Sequence, residues 1–344
     1  MNIVHWGLLS TANINQALIP VIRHSTGGEL VAVASRSLDS ANQYARKWDI
    51  PQAYGSYQEM LNSGEVDAIY LSLPNHLHAD WTIKALQAGV HVLCEKPFAT
   101  SLKDVDAMIS ASHENNIVLA EAFMYRHHPQ TTMVKEWVRE GRLGDISVIR
   151  GTFNYLLPDH QRKPDNLNIR MVPEYGGGCL WDVGIYPISF IQHLLDGPPD
   201  WVFGRKRTGN TGVDEIFVGQ MGYSRSGKGE VLAQISCSFN TPLHTYIEII
   251  GSEGTLYITR PFTNLDRGAQ VIFTTKKGKS SKLRVPKKSL YLGEVEDLQA
   301  AILDASPTTI SLSESKNHIL TALAFYQSAK SNKVVNLQDF MSGS

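Results

Sequence analysis

Cysteine is scarce in this sequence, whose 344 residues contain only Cys94, Cys179 and Cys237. An odd number of cysteines without C-x-x-C spacing excludes a disulfide framework and the usual zinc and redox motifs. It is typical of the reduced thiols of an intracellular protein. An excess of charge is lacking too, because 32 basic and 33 acidic residues leave a formal net charge of −1. This balance excludes an argument from overall charge for binding nucleic acid or an anionic membrane.

Long apolar runs are also absent, and we therefore expect no membrane span. The first residues lack the basic and apolar regions of a signal peptide, so a cytoplasmic protein is the expectation. The composition, 42% hydrophobic and 19% charged, is that of a globular protein. A chain of this length predicts about two domains, whose cores need no disulfide or metal.

Short apolar runs alternate with helical patterns over the first 120 residues. The apolar runs predict strands at Ile3–Leu8, Leu30–Ala34, Asp67–Leu71, Val90–Cys94 and Ile117–Ala120. The segments between them, such as Asn13–His24 and Ser101–Asn115, have the period of helices. Because strands joined by helices form parallel crossovers, residues 1–123 are predicted to be a Rossmann domain with a doubly wound parallel sheet.

The pattern changes after residue 123, where a helix near Pro129–Glu140 is followed by residues that alternate with period two. The alternation predicts strands at Ile146–Asn154, Ile216–Tyr223, Val231–Phe239, Tyr246–Gly251 and Thr255–Ile258. Ser252-Glu253-Gly254 predicts a tight hairpin between the last two, and closing helices are predicted at Tyr291–Asp304 and Ser313–Ser328. Residues 124–344 are thus predicted to be an α+β domain with a large, mostly antiparallel open sheet and helices on one face.

A run of seven basic residues lies between Lys276 and Lys288. Such a run can bind phosphates. Here no aromatic side chains lie between the basic ones, and Gly278 and Pro286 interrupt the run. We interpret it as the solvated surface of a hairpin.

The turn after the first predicted strand is rich in small residues, although it does not match the G-x-G-x-x-G pattern. Gly7, Ser10 and Ala12 stand where a dinucleotide-binding turn needs a tight bend, close backbone approach and close helix packing. Thr11 and Asn13 complete the turn, and the following helix offers free N–H groups to a pyrophosphate. This position at the start of the alternating strands and helices predicts a cofactor site.

The second predicted strand ends at Ser35-Arg36-Ser37, and no acidic residue follows until Asp39. NAD-binding proteins usually have Asp or Glu at this point to bind the ribose hydroxyls. A guanidinium flanked by two hydroxyls suits a 2′-phosphate instead. The sequence therefore predicts a preference for NADP with NAD as the alternative cofactor, although Arg36 can also be interpreted as an ordinary surface residue.

Two further motifs follow predicted parallel strands, at the end where open sheets bind ligands. They are Leu73-Pro74-Asn75-His76-Leu77-His78 and Cys94-Glu95-Lys96-Pro97. Glu95 can accept from ribose hydroxyls, and Lys96 can place a positive charge near a reacting oxygen. Taken alone, the pair is equally a surface ion pair. His76 and His78 have no cysteine or carboxylate cluster to complete a metal site, so no metal is expected.

Five motifs occur in order along nearly the whole chain. They are the Gly7 turn, Pro74-Asn75-His76-Leu77-His78, Glu95-Lys96-Pro97, Glu121-Ala122-Phe123-Met124-Tyr125-Arg126, and Gly176-Gly177-Gly178-x-x-x-Asp182-x-Gly184-x-Tyr186. With these motifs the chain resembles the glucose–fructose oxidoreductase / inositol dehydrogenase / rhizopine-catabolism (Gfo/Idh/MocA) family.

The resemblance implies that Lys96 is catalytic and contacts the nicotinamide. It implies that Asn75 and His78 lie near the cofactor and that Tyr125 packs near the nicotinamide. The same motifs add further residues to the predicted cofactor site, namely Leu73, Pro74, Glu95 and Arg126.

Asp182 and Tyr186 are four residues apart after the glycines, so they share one face of a predicted helix that begins near Cys179. A kink is expected there, because Pro187 cannot donate to the carbonyl of Val183. Taken alone, the acid favours a helix-terminal role and the tyrosine a core position. The resemblance implies instead that they act on substrate.

Tyr186 stands where many members of the family have histidine, and it resembles the aldose dehydrogenase, dihydrodiol dehydrogenase and glucose–fructose oxidoreductase branches. Asn168-Ile169-Arg170 resembles an Asn-x-Arg motif of the same branches. Arg170 is thus either a substrate contact or part of a structural ion pair.

The hypothesis is an NADP-dependent oxidoreductase that transfers a hydride between the nicotinamide and a hydroxyl or carbonyl carbon of a sugar-like or vicinal-diol substrate. Tyr186 would exchange the hydroxyl proton, because Lys96 and the oxidised nicotinamide favour its phenolate. Asp182 would bind a neighbouring hydroxyl or orient the reacting groups. The sequence does not specify the sugar, the direction or the face of hydride transfer.

Two alternatives stay open, a non-catalytic sugar sensor and an NAD-dependent glycosidase. A sensor has no reason to keep Lys96, Asp182 and Tyr186 together, and the glycosidase fits poorly with a second strand that lacks an acid. The expected partners are a small polyol or sugar and further copies of the chain. The resemblance implies a homodimer or homotetramer through the sheet of the second domain.

Overall fold

The computed structural model describes residues 3–225, 229–263 and 270–342. The chain divides into two compact units. The first consists of Met1–His127 and Ser289–Lys316, and the second of His128–Lys288 and Asn317–Ser344. No helix in the described ranges combines the length and the apolar character that a membrane crossing requires.

The first unit begins with alternating strands and helices. The strands are β1 (Val4–Leu9), β2 (Gly28–Ala34), β3 (Gln52–Tyr54), β4 (Ala68–Leu71), β5 (His91–Glu95) and β6 (Leu119–Ala122). The helices are α1 (Asn15–His24), α2 (Leu38–Trp48), α3 (Tyr57–Leu61), α4 (His78–Gln87) and α5 (Leu102–Asn115). Ser101 caps α5 as its position suggests, because its Oγ accepts the Asp104 N–H at 3.1 Å.

These strands form one sheet in the order β3-β2-β1-β4-β5-β6, and each neighbouring pair is parallel. The doubly wound Rossmann sheet predicted from the sequence is therefore confirmed. The order reverses between β1 and β4, which is where an open parallel sheet leaves a crevice for a ligand. The cofactor motifs lie in or directly after the carboxyl ends of these strands.

The remaining elements are mostly long strands. The helices are α6 (Pro129–Arg139), α7 (Ile185–Leu195), α8 (Leu292–Leu303), α9 (Leu312–Ser331) and α10 (Leu337–Ser342). The strands are β7 (Ile146–Leu156), β8 (Trp201–Thr208), β9 (Asp214–Arg225), β10 (Gly229–Ser238), β11 (Asn240–Gly251), β12 (Gly254–Ile258), β13 (Val271–Thr275), β14 (Ser280–Leu283) and β15 (Val335–Asn336).

Within the described part of the chain, these nine strands form one sheet in the order β14-β13-β12-β11-β7-β10-β9-β8-β15. The β7–β10 pair is parallel and the other neighbours are antiparallel. The large, mostly antiparallel sheet is therefore confirmed. Val218 on β9 and Leu232 on β10 are 52% and 45% exposed. Assembly of a homodimer or homotetramer through this sheet stays a prediction.

Both turn predictions in this sheet hold. Gly251 pairs with Gly254 across the hairpin of β11 and β12. The first part of the basic run, Lys276 to Lys282, lies on the hairpin of β13 and β14, where Gly278 has a φ of 80° and Lys277 and Lys279 are exposed. Lys276 forms an ion pair with Glu253 at 2.7 Å. This part is a solvated hairpin, as interpreted from the sequence, whereas Arg284, Lys287 and Lys288 follow the end of β14.

Helix α8 packs on the sheet of the first unit, although its sequence follows the strands of the second. Val295 and Leu298 are fully buried in one cluster with Trp6 and Leu8 of β1 and Leu18 of α1. Burying an aliphatic side chain of this size contributes about 1.5–3 kcal/mol. The compact units thus interleave along the chain, while the division into functional domains at 123/124 stays a prediction.

The helix that carries Asp182 and Tyr186 starts with a wide turn. Leu180–Gly184 is a π-helix, and α7 continues from it. Pro187 has no N–H to donate to the carbonyl of Val183, and a kink is therefore expected at this point. The wide turn includes Val183 and lies at the expected place. A π turn keeps residues four apart close to one face, and such turns are frequent at functional sites.

Candidate active site

The turn after β1 is made by Ser10, whose φ of 147° is unusual for a residue with a side chain. Its Oγ accepts the Ala12 N–H at 3.1 Å and lies 2.8 Å from Ser72 Oγ at the end of β4. Asn15 donates to the Ser10 carbonyl at 2.8 Å and accepts from Ser72 Oγ at 2.7 Å. These bonds fix the turn where the strand order reverses.

Gly7 lies inside β1 and not in the turn, so its expected role in a tight bend is corrected. A Cβ at this position would come within 3.0 Å of Met60 Sδ and 3.1 Å of Val66. The missing side chain therefore makes room for packing beside the strand, while the bend itself depends on Ser10.

The start of α1 fits the pyrophosphate of a dinucleotide. No side chain caps the helix, and no acidic residue lies in its first turn. The N–H groups of Asn15 and Gln16 donate to the Ala12 and Asn13 carbonyls at 3.1 and 3.2 Å, so what the helix start offers an anion is the positive end of its dipole. Thr11 and Ala12 are half-buried and Asn13 is exposed, so the turn before the helix is accessible.

The three residues after β2 have different environments. Ser35 is buried and its N–H donates to the Tyr54 carbonyl at 3.1 Å. Ser37 caps α2, because its Oγ accepts a backbone N–H of the first turn at 3.5 Å. Arg36 is exposed, and its charge lowers the pKa of Tyr57 against the stronger effect of burial, which raises it. The guanidinium is thus the exposed charge at this strand end.

His78 joins the two loops that carry the other cofactor motifs. It is fully buried, with Nδ1 2.9 Å from the Pro97 carbonyl and Nε2 2.9 Å from the Leu73 carbonyl. Burial lowers its pKa, whereas the two carbonyls raise it, because a neutral ring has one N–H and can donate to only one of them. His78 thus lies between the two loops and contacts both. No cluster of His, Cys, Asp or Glu in the described ranges is arranged to hold a metal ion.

Glu95 ends β5, and its carboxylate is already engaged inside the first unit. It accepts from the Tyr70 hydroxyl and, at 3.1 Å, from the Lys96 N–H. The Lys96–Pro97 peptide bond is cis. Pro74 and Asn75 are half-buried at the start of the neighbouring loop. Contacts of these residues with ribose or nicotinamide stay predictions.

Tyr125 and Arg126 follow β6 in a short 3₁₀ turn. Tyr125 is fully buried, with its ring edge-on to Phe123 at 5.7 Å. Arg126 is 3% exposed and donates from Nη2 to Glu314 at 3.0 Å. Its Nε and Nη1 have no hydrogen-bond partner among the described residues. Such buried donors at a strand end fit a polar group of a bound dinucleotide, because an unmet buried donor is costly.

Glu294 is a residue that the sequence analysis missed. It lies in the first turn of α8, is 1% exposed, and neither of its oxygens has a hydrogen-bond partner in the described part of the chain. Burial raises its pKa well above the usual range, and the nearby Glu95 and Asp297 raise it further. No motif marks this residue, since its environment depends on where α8 packs.

In the second unit, the Asn168-x-Arg170 motif and the glycines form one folded segment. Asn168 Oδ1 accepts the Arg170 N–H at 3.0 Å, and the Arg170 carbonyl accepts the Gly178 N–H at 2.9 Å. A Cβ on Gly177 would lie 2.5 Å from that same carbonyl oxygen. The Asn168-x-Arg170 motif and the glycines therefore pack directly against each other, backbone to backbone.

Two side chains meet at the carboxylate of Asp182. The Tyr155 hydroxyl donates to Oδ2 at 2.8 Å, and Arg170 Nε lies 2.9 Å from the same oxygen. The side chain of Asp182 is 11% exposed and that of Arg170 is 42% exposed. Burial and the charge of Asp182 raise the pKa of Tyr155, so this tyrosine stays a neutral donor. Arg170 thus belongs to an ion pair that includes the predicted catalytic acid.

Tyr155 is a second residue that the sequence analysis missed. It lies near the end of β7, two residues after the buried Phe153, and so on the same face of the strand. Alternation along the predicted strand could have indicated it. Its pairing with Asp182 could not be inferred, because 27 residues separate the two in sequence.

Tyr186 lies in an aromatic environment one turn after Asp182. It is 6% exposed, and its ring is 5.3 Å from Phe153 and 5.4 Å from Phe262, measured between centroids. The apolar rings fix the position of the phenol. Its proposed exchange of a proton with substrate stays a prediction.

Two segments of the chain match known families. Residues 4–123 match a family described as "Oxidoreductase family, NAD-binding Rossmann fold", and residues 131–257 match the "GFO/IDH/MocA C-terminal domain". The first match lies in the first compact unit and the second in the second.

Individual proteins are similar over most of the chain. A D-xylose 1-dehydrogenase (NADP⁺) from Haloferax volcanii is 34% identical, covering 96% of this chain and 99% of its own. A trans-1,2-dihydrobenzene-1,2-diol dehydrogenase from Xenopus laevis is 32% identical, covering 74% of each. The structure of a 3-ketoreductase from Actinomadura kijaniata with NADP and TDP-benzene has a TM-score of 0.86 and 26% identity, covering 95% of this chain and 98% of the other.

Replacing Glu294 with glutamine is expected to stabilise the protein at alkaline pH. The raised pKa of Glu294 means that the native state binds a proton which the unfolded state releases. Its contribution to stability is therefore lost as pH rises from the unfolded pKa through the folded one, by about 1.4 kcal/mol for each unit of difference. We expect Glu294→Gln to raise the melting temperature more at about pH 8.5 than at about pH 5.5.

Glu296→Gln, an exposed position on the same helix, is the control and should show no such dependence on pH. A wild-type protein that is more stable than Glu294→Gln at alkaline pH would contradict this account of Glu294.

Proposed function

We propose a specific reaction for this chain, which belongs to the GFO/IDH/MocA family of oxidoreductases and is NAD(P)-dependent. The proposed reaction is hydride transfer between NADP and a hydroxyl or carbonyl carbon of a sugar-like or vicinal-diol substrate. The names of the similar proteins, a xylose dehydrogenase, a dihydrodiol dehydrogenase and a ketoreductase of a sugar nucleotide, support this class of substrate.

The observation that carries the proposal is the group of polar side chains around Asp182. Its buried carboxylate is held by Tyr155 and Arg170, and Tyr186 follows one turn later on the same helix. A carboxylate and a guanidinium side by side suit a substrate with adjacent hydroxyls, because one accepts and the other donates a hydrogen bond. A substrate with a single hydroxyl would leave part of this set unused.

Tyr186 is proposed to exchange the proton of the reacting hydroxyl. During oxidation its phenolate accepts that proton, and during reduction its phenol returns it. An ordinary tyrosine, with a pKa of about 10, needs help to ionise at neutral pH. Lys96 is proposed to supply that help as a positive charge near the reacting oxygen, and Asp182 to hold a neighbouring hydroxyl.

The nicotinamide, when bound, supplies the acceptor or donor of the hydride. The proposed cofactor contacts are the turn at Ser10, the start of α1, the loop that begins at Leu73, and Lys96. The exposed Arg36 after β2 supports NADP over NAD, because a guanidinium pairs with a phosphate in a forked geometry.

The test of the proposed reaction is nicotinamide absorbance with a panel of aldoses, inositols and trans-diols, first with NADP and then with NAD. We expect NADP to be reduced with at least one of these substrates. A second panel, of keto sugars, is run with NADPH, since one similar protein is a 3-ketoreductase. Tight binding of NADPH without turnover in either direction would contradict the proposal and favour a sugar sensor. Hydrolysis of a glycoside without net change in the cofactor would favour a glycosidase.

Lys96→Ala is expected to lower kcat by about 100-fold or more, because a positioned charge at the reacting oxygen is lost. The Kd for NADPH, measured by its fluorescence, should change by less than about threefold, since many other groups bind the dinucleotide. Lys103→Ala, an exposed lysine at the start of α5, is the matched control and should leave kcat unchanged. A near-normal kcat for Lys96→Ala would refute the catalytic role.

Arg36→Ala is expected to lower the ratio of kcat/KM for NADP to that for NAD. A hydrogen bond to a charged group contributes about 1.5–3 kcal/mol, so the ratio should fall about 10- to 100-fold. Arg46→Ala, an exposed arginine on α2, tests whether the loss of any nearby positive charge has the same effect. An unchanged ratio in Arg36→Ala would show that this residue is an ordinary surface arginine.

A further inference from the structure

Asp214, at the start of β9, is a buried carboxylate to which the motifs assign no role. It is 2% exposed, and its Oδ1 accepts from the Tyr326 hydroxyl at 2.8 Å. Its Oδ2 accepts the Leu180 N–H at 2.8 Å and the Cys179 thiol at 3.2 Å. Burial raises its pKa, while these hydrogen bonds lower it. The carboxylate thus binds the first residues of the helix that carries the candidate catalytic groups.

The glycine before that helix packs directly against the same carboxylate. Gly178 has a φ of +125°, and a Cβ there would collide with Asp214 Oδ1 and lie 3.0 Å from its Cγ. The Gly178 carbonyl in turn accepts the Asp182 N–H at 3.1 Å, which is the first turn of the helix. Asp214 therefore touches the chain on both sides of the point where the helix begins.

We propose that Asp214 is a positioning residue for the reaction: its carboxylate fixes the start and direction of the helix, and so the places of Asp182 and Tyr186. This inference rests on the proposed function. The physical reason is that the Leu180 N–H lies at the open end of a helix, where backbone donors need an acceptor other than the helix itself. With the acceptor removed, the first turn can shift, and a shift of about 1 Å in a reacting group can cost about 100-fold in rate.

The alternative is that Asp214 only stabilises the fold. The two roles predict different values of kcat for the fraction of the variant protein that is folded. A stabilising residue lowers the melting temperature and leaves kcat unchanged, whereas a positioning residue lowers kcat. A positioning residue should also matter less once the group that it positions has been removed.

The experiment compares Asp214→Ala and Asp214→Asn, each in the wild-type and the Tyr186→Phe background. For every variant, kcat and KM are measured with the substrate found above, the Kd for NADPH by fluorescence, and the folded fraction by thermal melting. Asn keeps an oxygen for the Leu180 N–H and can donate to the Tyr326 hydroxyl. Asp200→Asn is the control, because Asp200 also accepts a backbone N–H in this unit, from Ser224.

We expect Asp214→Ala to lower kcat of the folded enzyme by at least about tenfold, and Asp214→Asn to restore it to within about threefold of the wild type. The Kd for NADPH should stay within about twofold, because the predicted cofactor residues belong to the other compact unit. In the Tyr186→Phe background, Asp214→Ala should lower kcat by a smaller factor than in the wild type, because only Asp182 is then left to be displaced. Asp200→Asn should leave kcat unchanged.

Should Asp214→Ala not fold, Tyr326→Phe removes one donor to the carboxylate and leaves the Leu180 bond in place. It should lower kcat by about two- to fivefold in the wild-type background and by a smaller factor in the Tyr186→Phe background. If Asp214→Ala folds and keeps its kcat while Tyr186→Phe loses activity, the positioning role is wrong and the proposed function stands. An equal loss in both backgrounds also overturns the positioning role. If Tyr186→Phe itself keeps its kcat, the proposed function fails, and this inference fails with it.

Discussion

A close approach of backbone to backbone, and of backbone to carboxylate, decides where the helix of the candidate site can begin. A Cβ added at Gly177 would lie 2.5 Å from the Arg170 carbonyl oxygen, so there is no room for a side chain at this position. At Gly178 the backbone has a positive φ and lies against Asp214. Glycine tolerates both conditions, and a side chain at either position would move the helix. The places of the acid and the tyrosine on that helix follow from this contact.

Three carboxylates that are wholly or partly buried, Asp182, Glu95 and Glu294, differ in the hydrogen bonds that they receive. Asp182 receives a hydroxyl and a guanidinium, and Glu95 receives a hydroxyl and a backbone N–H. Glu294 has no hydrogen-bond partner among the described residues. A buried charge needs such partners, and a carboxyl without them is more stable as the neutral acid. The two paired carboxylates belong to the family motifs, whereas Glu294 lies on α8 and belongs to none of them.

The sequence predicted the features that depend on short stretches of chain. The parallel sheet of the first unit, the antiparallel strands of the second and the hairpin at Ser252 follow from period, turn residues and caps. The sequence did not predict contacts between residues that are far apart along the chain. Tyr155 donates to Asp182, and Glu294 on α8 lies near Glu95 of β5. Helix α8 returns to the first sheet because Val295 and Leu298 complete that core, and amphipathic periodicity alone does not say which core a helix covers.

Arg170 illustrates that a structural ion pair does not exclude a second role for the same residue. The sequence left it as either a structural ion pair or a substrate contact, and the structure pairs it with Asp182. The side chain of Arg170 is 42% exposed, against 11% for its partner, so the guanidinium reaches solvent while the acid is largely shielded from it. Burying the guanidinium as well would cost a desolvation free energy that the attraction to the acid does not always repay. The ion pair thus orients the carboxylate and is compatible with a contact between Arg170 and the substrate, which stays a prediction.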